Sequence, residues 1–190
     1  GWGDQGIMFG LAVDNPKTNY LPLDIFMARK IGKHLFDLKY AGLDIKTQVT
    51  VEDDAIRKII VAIPMLEHHS VNDIRNVCQF CCDGSTDYDL IVNGTGRFVR
   101  HASMGDCGTT GRKLAVDFYG GNCNVGGGSP WTKDGSKADL TLNLYARYKA
   151  VEYVKRTNEP YCKCGIACCI GKSQIEVFLM NEKNEIIEAY

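Results

Sequence analysis

The residues of this chain best suited to chemistry lie between Asn93 and Asp139, where glycine turns alternate with cations. In order they read Asn93-Gly-Thr-Gly-Arg97-Phe98-Val99, Met104-Gly-Asp106-Cys-Gly-Thr-Thr-Gly-Arg112-Lys113, Asp117-Phe-Tyr-Gly-Gly121, and Gly126-Gly-Gly-Ser129-Pro-Trp-Thr-Lys133-Asp134-Gly-Ser-Lys137-Ala-Asp139. Clustered glycines let backbone N–H groups approach an anion with no Cβ in the way, and Gly126 to Gly128 suit that use. Lys133 and Lys137 are four apart, so a helix beginning near Gly135 would set them one turn apart beside its N-terminus, where free N–H groups favour negative charge. Asp139 follows on that turn, a carboxylate able to hold Mg²⁺ against phosphate oxygens. Arg112 and Lys113 close another glycine turn and approach from a second side. Over residues 93–139 six Lys or Arg stand against four Asp or Glu, whereas residues 50–92 carry three against eight. The positive charge is therefore local, and the pattern suits a polyphosphate with a divalent cation.

Several elements must position these residues. Residues 22–36 follow a helical period, with Leu23, Met27, Ile31 and Leu35 on one stripe, Pro22 at the start, and His34 a half-buried structural histidine. Thr47–Val51 and Lys58–Met65 read as a strand pair joined by the acidic turn Glu52-Asp53-Asp54. Ser70-Val-Asn-Asp73 offers a capping box for a helix running to about Cys81. His68 and His69 lack zinc spacing and read as a strand end, and Asp89–Asn93 is a strand leading into the central stretch. After Asp134 a helix is expected through about Thr157, with Leu140, Leu144 and Tyr148 on its core face and Tyr145 beside them. Cys162–Ile170 and Gln174–Met180 form a hairpin around Gly171-Lys172, and the polar tail Asn181–Tyr190 is an edge. Strand, helix and strand pair recur before and after residue 99, so the fold class is α+β in two related units.

Composition bounds the function. A length of 190 residues with 45% hydrophobic content supports a real core, and a net charge of −1 argues against a nucleic-acid binder. No apolar run approaches ~18 residues, so no membrane partner is expected. The chain opens on Gly1 without a signal peptide or initiator Met, as a processed, cleaved or partial product would. Nine cysteines, an odd number with the adjacent pairs Cys81-Cys82 and Cys168-Cys169, fit a reducing cytoplasm better than a disulfide framework. Alternation along a strand sends Cys162 and Cys164 to one face and divides the following pair, so they read as small apolar residues rather than zinc ligands.

These motifs together resemble the S-adenosylmethionine synthetase (methionine adenosyltransferase) family. Its N-P-[ST]-G-R-F-V is similar to Asn93–Val99, its M-G-D-x-G-x-T-G-R-K to Met104–Lys113, its D-x-Y-G-G to Asp117–Gly121, its G-G-G-A-F-S-x-K-D to Gly126–Asp134, and its S-K-x-D to Ser136–Asp139. The opening Gly1-Trp-Gly-Asp4-Gln-Gly6 looks like G-A-G-D-Q-G, and Asp44-Ile-Lys46-Thr-Gln-Val49 like D-A-K-[ST]-Q-V. Departures are His101-Ala-Ser103 for Gly-Gly-Pro and Ser129-Pro130-Trp131 for Ala-Phe-Ser; the family's G-H-P-D-K is not among these residues.

The resemblance implies the family's fold, repeated β-α-β-type units with flat sheets packed at a subunit interface, divided here as a central domain over 1–99 and part of a C-terminal domain over 100–190. It implies attack of methionine sulfur on C5′ of ATP, release of triphosphate and its hydrolysis. Lys46, Arg112, Lys133 and Lys137 would be catalytic. Asp4, Asp44, Lys46, Arg97, Phe98, Asp106, Arg112, Lys113, Ser129, Lys133 and Lys137 would contact ATP or L-methionine, and Asp139 a metal. Phe98 would stack on adenine beside Arg97, and Asp106 would face methionine and nucleotide. Two Mg²⁺ are expected with a partner chain, and K⁺ is possible. The expected assembly is a hetero-oligomer, a split synthetase whose second subunit carries G-H-P-D-K with the catalytic histidine. The alternative is a catalytically silent, nucleotide-binding regulatory subunit of a complete synthetase.

Overall fold

The computed structural model describes residues 1–39 and 42–190. Along the chain run β1 (Gly6–Val13), α1 (Leu23–Asp37), β2 (Lys46–Glu52), β3 (Ala55–Ala62), α2 (Val71–Cys81), β4 (Asp89–Val92), the single turn α3 (Leu114–Asp117), α4 (Ala138–Thr157), β5 (Tyr161–Cys168), β6 (Ile175–Met180) and β7 (Ile186–Ala189). They group into two compact units, Leu23–Gly108 and the pairing of Gly1–Pro22 with Thr109–Tyr190.

In the unit Leu23–Gly108 the helical stripe buries Met27, Ile31 and Leu35, while His34 is half-buried with Nδ1 3.0 Å from the Lys30 carbonyl. Strands β2 and β3 pair antiparallel through a turn in which Asp53 and Asp54 both have positive φ, +50° and +59°. That is the hand of the primed hairpin turns, which short polar side chains tolerate. Ser70 caps α2 reciprocally with Asp73, whose carboxylate accepts from Ser70 N at 2.6 Å and from its hydroxyl at 2.9 Å. These bonds hold the Asp73 carboxyl below its ordinary pKa. The last turn of α2 has no basic residue of its own, and Lys30 from α1 donates to its Cys81 carbonyl at 2.7 Å, placing a cation where the helix dipole favours one. Strand β4 joins β3 in parallel, giving the order β2-β3-β4. Val49, Ile59 and Val61 then meet Ile31, Leu35, Ile74 and Val77 in one core. His68 and His69 do not end a strand: β3 stops at Ala62, shortly before Pro64, which has no N–H to continue a ladder, and the two rings meet 4.2 Å apart in the turn beyond.

In the other unit the sheet order is β1-β5-β6-β7, all antiparallel, with the polar tail contributing edge strand β7. Helix α4 covers one face, but with a different stripe from the expected one. Ala138, Leu142, Ala146, Ala150 and Val154, spaced by four, face the core, while Leu144, Tyr145 and Tyr148 are exposed. The reason is closeness. The sheet beneath carries Gly10, Cys162, Cys164 and Cys168, and a Cβ on Gly10 would collide with the Ala146 and Arg147 backbone. Only small helix residues fit such an approach. The cysteines act as compact core residues, and burial pushes the Cys162 and Cys164 thiols up to about 12. The fold is thus mixed α and β with two sheets, each backed by helix.

Candidate functional site

The unit that contains α4 carries most of the cations. Its glycine-rich segment is laid tightly against its surroundings. A Cβ on Gly126 would run into the Ile7 carbonyl oxygen, and one on Gly128 into the Asp139 carboxylate. Gly111, at φ +86°, leaves no room for a Cβ beside the Ser129 hydroxyl. Glycine is needed at each position, so the turn ending in Arg112-Lys113 and the loop Gly126–Ser129 are brought side by side. The Ser129 Oγ is buried there and has no hydrogen-bond partner among the described residues.

Helix α4 begins at Ala138 rather than near Gly135, with Lys137 at its N-cap and Asp139 in its first turn. Lys133 therefore stands in the preceding turn, not on the helix. It reaches Asp139 all the same, as an ion pair between Nζ and Oδ2 in which the Asp139 side chain is 18% exposed. Asp134 takes the structural role that delays the helix: its carboxylate accepts from Ser136 N at 2.8 Å and from the Ser136 hydroxyl, which lowers its pKa. Arg112 and Lys113 are exposed, the latter preceding α3.

Asp4 is exposed in the opening turn, its carboxylate accepting from Gln5 N at 2.8 Å. That turn is anchored on the β5–β6 hairpin, with Trp2 N donating to the Lys172 carbonyl at 2.7 Å and Gly171 N to the Trp2 carbonyl at 2.8 Å. The sequence at Gly1–Gly6 shows only a loop; the anchor depends on a hairpin about 170 residues away.

The unit Leu23–Gly108 holds the remaining residues. Lys46 opens β2 with Nζ 3.5 Å from Asp44 Oδ1 and 5.9 Å from the centre of the Phe98 ring, so cation, acid and aromatic form one group. Asp44 has φ +86°, an uncommon backbone state for a residue with a side chain. The loop carrying Arg97 and Phe98 is clamped by Asn93, whose side chain accepts from Ile63 N at 2.8 Å and donates to the Ile63 carbonyl at 3.0 Å. Asn93 thus extends the β3–β4 pairing by one amide side chain. Arg97 and Asp106 are exposed on loops, with Asp106 N bonded to the Ala102 carbonyl at 2.9 Å. A pocket of about 440 Å³ opens beside Arg97, with Met65, Val71 and Val92 in its wall.

Sequence reasoning did not single out the side chain of Asn93 or Lys163. The first has an ordinary turn residue's identity. The second had a visible signal, a lone lysine within a strand of small apolar residues.

With this geometry in view, comparison with known proteins defines the class. Residues 1–98 match the model of the S-adenosylmethionine synthetase central domain, and residues 101–188 that of its C-terminal domain. The chain belongs to the S-adenosylmethionine synthetase family. It is 36% identical over 195 residues to the S-adenosylmethionine synthase of Solidesulfovibrio magneticus, covering 92% of this chain and 49% of that protein. The synthase of Staphylococcus epidermidis is likewise 36% identical, over 196 residues, covering 92% and 48%. Among solved structures, an unusual S-adenosylmethionine synthetase from Campylobacter jejuni superposes with a TM-score of 0.84 at 29% identity, over 97% of this chain and 54% of that one. The chain spans about half the length of the curated relatives it matches.

Proposed function

We propose that this chain supplies the polyphosphate-binding and adenine-binding residues of a methionine adenosyltransferase, which forms S-adenosylmethionine from ATP and L-methionine and releases and hydrolyses triphosphate. The observation that carries the reading is the assembly around Gly128, where a glycine loop, Lys133 and the Asp139 carboxylate stand in contact at the start of α4. Family membership supports transferase chemistry of S-adenosylmethionine synthesis, and the residue roles belong to the proposal. So do the division at residue 99, sheets meeting at a subunit interface and a cytoplasmic setting, the last supported by nine cysteines outside any disulfide.

Attack of a thioether sulfur on C5′ removes no proton, so the step calls for alignment and for cations around a leaving group of several negative charges. Lys133 and Lys137 at the α4 terminus, Arg112 and Lys113 at the adjoining turn, and Lys46 are those cations. Phe98 takes the adenine face with Arg97 beside it, and Asp106 pairs with the amino-acid ammonium. Asp4, Asp44 and Ser129 complete the contacts; the Ser129 hydroxyl has no partner among the described residues.

The residues present fit a Mg²⁺ ion. Asp139 is a single, partly exposed carboxylate with Gly128 packed against it, and Mg²⁺ commonly takes one or two carboxylates, completing its shell with phosphate oxygens and water. Bound there, it would neutralise phosphate charge and favour the hydrolytic water. Asp139 and Lys133 neutralise each other as they stand, so a cation on the carboxylate leaves the Lys133 ammonium to a phosphate. K⁺ and a second Mg²⁺ enter only through the family likeness. The family's G-H-P-D-K lies outside these 190 residues, and in the proposed arrangement a second polypeptide provides it.

Mass spectrometry of the intact complex, with an assay of methionine-dependent triphosphate release from ATP, tests the reading. A second chain bearing G-H-P-D-K, and activity falling about 10²-fold or more in Lys133→Ala or Asp139→Ala, is the expected result. A homo-oligomer silent until a complete synthetase is added would overturn it in favour of a regulatory subunit.

A further inference from the structure

Lys163 lies in the middle of the small, apolar strand β5 and is only 5% exposed. Its ammonium donates to Asn124 Oδ1 at 2.7 Å and to Asn184 Oδ1. Taking an ammonium out of water is costly unless its donors find partners, and here the two partners are neutral amides that satisfy hydrogen bonds without cancelling charge. Such an arrangement is a poor way merely to fill a core. What distinguishes it is where the two amides sit: Asn184 in the turn between β6 and β7, and Asn124 two residues before Gly126.

The glycine loop is held at several successive points. Asn124 is tied to Lys163, Gly126 lies on the Ile7 carbonyl, Gly128 lies on the Asp139 carboxylate, and Ser129 packs on Gly111. The last three contacts are steric and leave the glycines' own rotation free, because glycine accepts almost any φ. The Lys163–Asn124 bond is directional and charge-assisted, and its ammonium end is withdrawn from water.

We infer that Lys163 is a positioning residue: through Asn124 it sets where the Gly126–Gly128 amides stand, and so sets the affinity of that loop for a polyphosphate. The second half of this statement rests on the anion-site reading above. The first half does not.

The test measures {¹H}-¹⁵N heteronuclear NOEs at Gly126, Gly127 and Gly128 in the 190-residue chain and in Lys163→Met, Asn124→Ala and Asn184→Ala, with inorganic tripolyphosphate affinity by calorimetry. Asn124 is exposed, so its alanine variant keeps the fold even if Lys163→Met does not. In Asn124→Ala at unchanged melting temperature, the three glycine NOEs should drop and tripolyphosphate binding should weaken about tenfold, the scale of one hydrogen bond to a charged group. Asn184→Ala, which cuts the same ammonium's other bond, should do neither. Unchanged glycine NOEs in Asn124→Ala, or an equal drop in Asn184→Ala, would overturn the inference. Failure of the unsubstituted chain to bind tripolyphosphate would instead overturn the anion-site reading, while the NOEs would still decide the role of Lys163.

Discussion

In the unit Leu23–Gly108, two helices cover a three-stranded sheet, and the contact is made by branched side chains such as Ile31, Leu35, Ile59, Ile63 and Ile74. In the other unit a single helix of 20 residues covers four strands, and alanines, cysteines and a glycine share the contact with larger residues such as Leu142, Val154 and Ile166. Branched side chains hold helix and sheet apart and leave positioning of the loops to specific clamps, of which the Asn93 amide is the clearest. Small residues bring backbone against backbone, so geometry is set by sterics, and the same device recurs where Gly126 and Gly128 lie on Ile7 and Asp139. The candidate anion residues concentrate in the second kind of unit. A cradle of backbone amides needs the backbone itself brought close, which packing does here, while its orientation is left to the Lys163–Asn124 bond.

The largest contrast should appear in the thiols. Burial pushes Cys78 of one unit and Cys162 and Cys164 of the other up to about 12, whereas Cys107 and Cys169, one in each unit, are exposed. The sign follows from reactivity of the thiolate: at pH 8 a group titrating near 12 is ~10⁻⁴ ionised. A disulfide reagent should therefore label Cys107 and Cys169 at least about a thousandfold faster than those three, by peptide mapping of the native chain. Rapid labelling of Cys162 or Cys164 would mean that the small-residue core opens readily, against the comparison.

Next in size are core substitutions. Ile59→Ala removes branched volume from a fully buried site and should destabilise its own unit by roughly 2–5 kcal/mol. Gly10→Ala adds one carbon against the α4 backbone and should cost roughly 1–3 kcal/mol in the other unit. Amide exchange after each change should show protection lost in β2–β4 for the first and in β1 and β5 for the second. If Gly10→Ala were neutral, close backbone packing would not be what organises that unit. Asn93→Ala leaves the Ile63 N–H and carbonyl without their amide partner, and should cost about 1–3 kcal/mol with faster exchange at Ile63.

The smallest effect is at the α2 cap. Asp73 has a depressed pKa through its bonds to Ser70, so its contribution is present above the ordinary value of 3.8 and lost as pH falls through the folded value. Ser70→Ala should lower the melting temperature slightly at pH 7 and have no further effect once Asp73 is protonated. A difference that persists at pH 2 would show the cap working through some contact other than that carboxylate.

Much of the architecture was legible where a local rule has few alternatives. The i, i+4 stripe at Met27, Ile31 and Leu35, the Asp53-Asp54 turn, the Ser70–Asp73 box and the hairpin at Gly171 each follow from the physics of a handful of neighbouring residues. Strand β1 was missed because Gly10 interrupts an apolar run, and glycine normally weakens a strand; its presence makes sense only once α4 lies on top of it. The core face of α4 differs from the expected one for the same reason. Leu140, Leu144 and Tyr148 form the bulkier stripe, and bulk predicts a core only when the partner surface leaves room for it.

At the candidate site the division is similar. Residue types are legible from the chain alone, glycines, lysines, arginines and aspartates in an order that marks the family, because those identities are local and their spacing is covalent. A helix through Asp139 is legible there too, although its start falls at Ala138 rather than near Gly135. That Lys133 reaches Asp139 from a preceding turn rather than along that helix, and that Gly111 lies against Ser129, follows from the folded chain alone. It alone decided that a lysine 39 positions from Asn124 holds the approach to the glycine loop. Those contacts join segments far apart in the chain, and their partners are chosen by which surfaces can approach without a Cβ between them, a property no single segment carries.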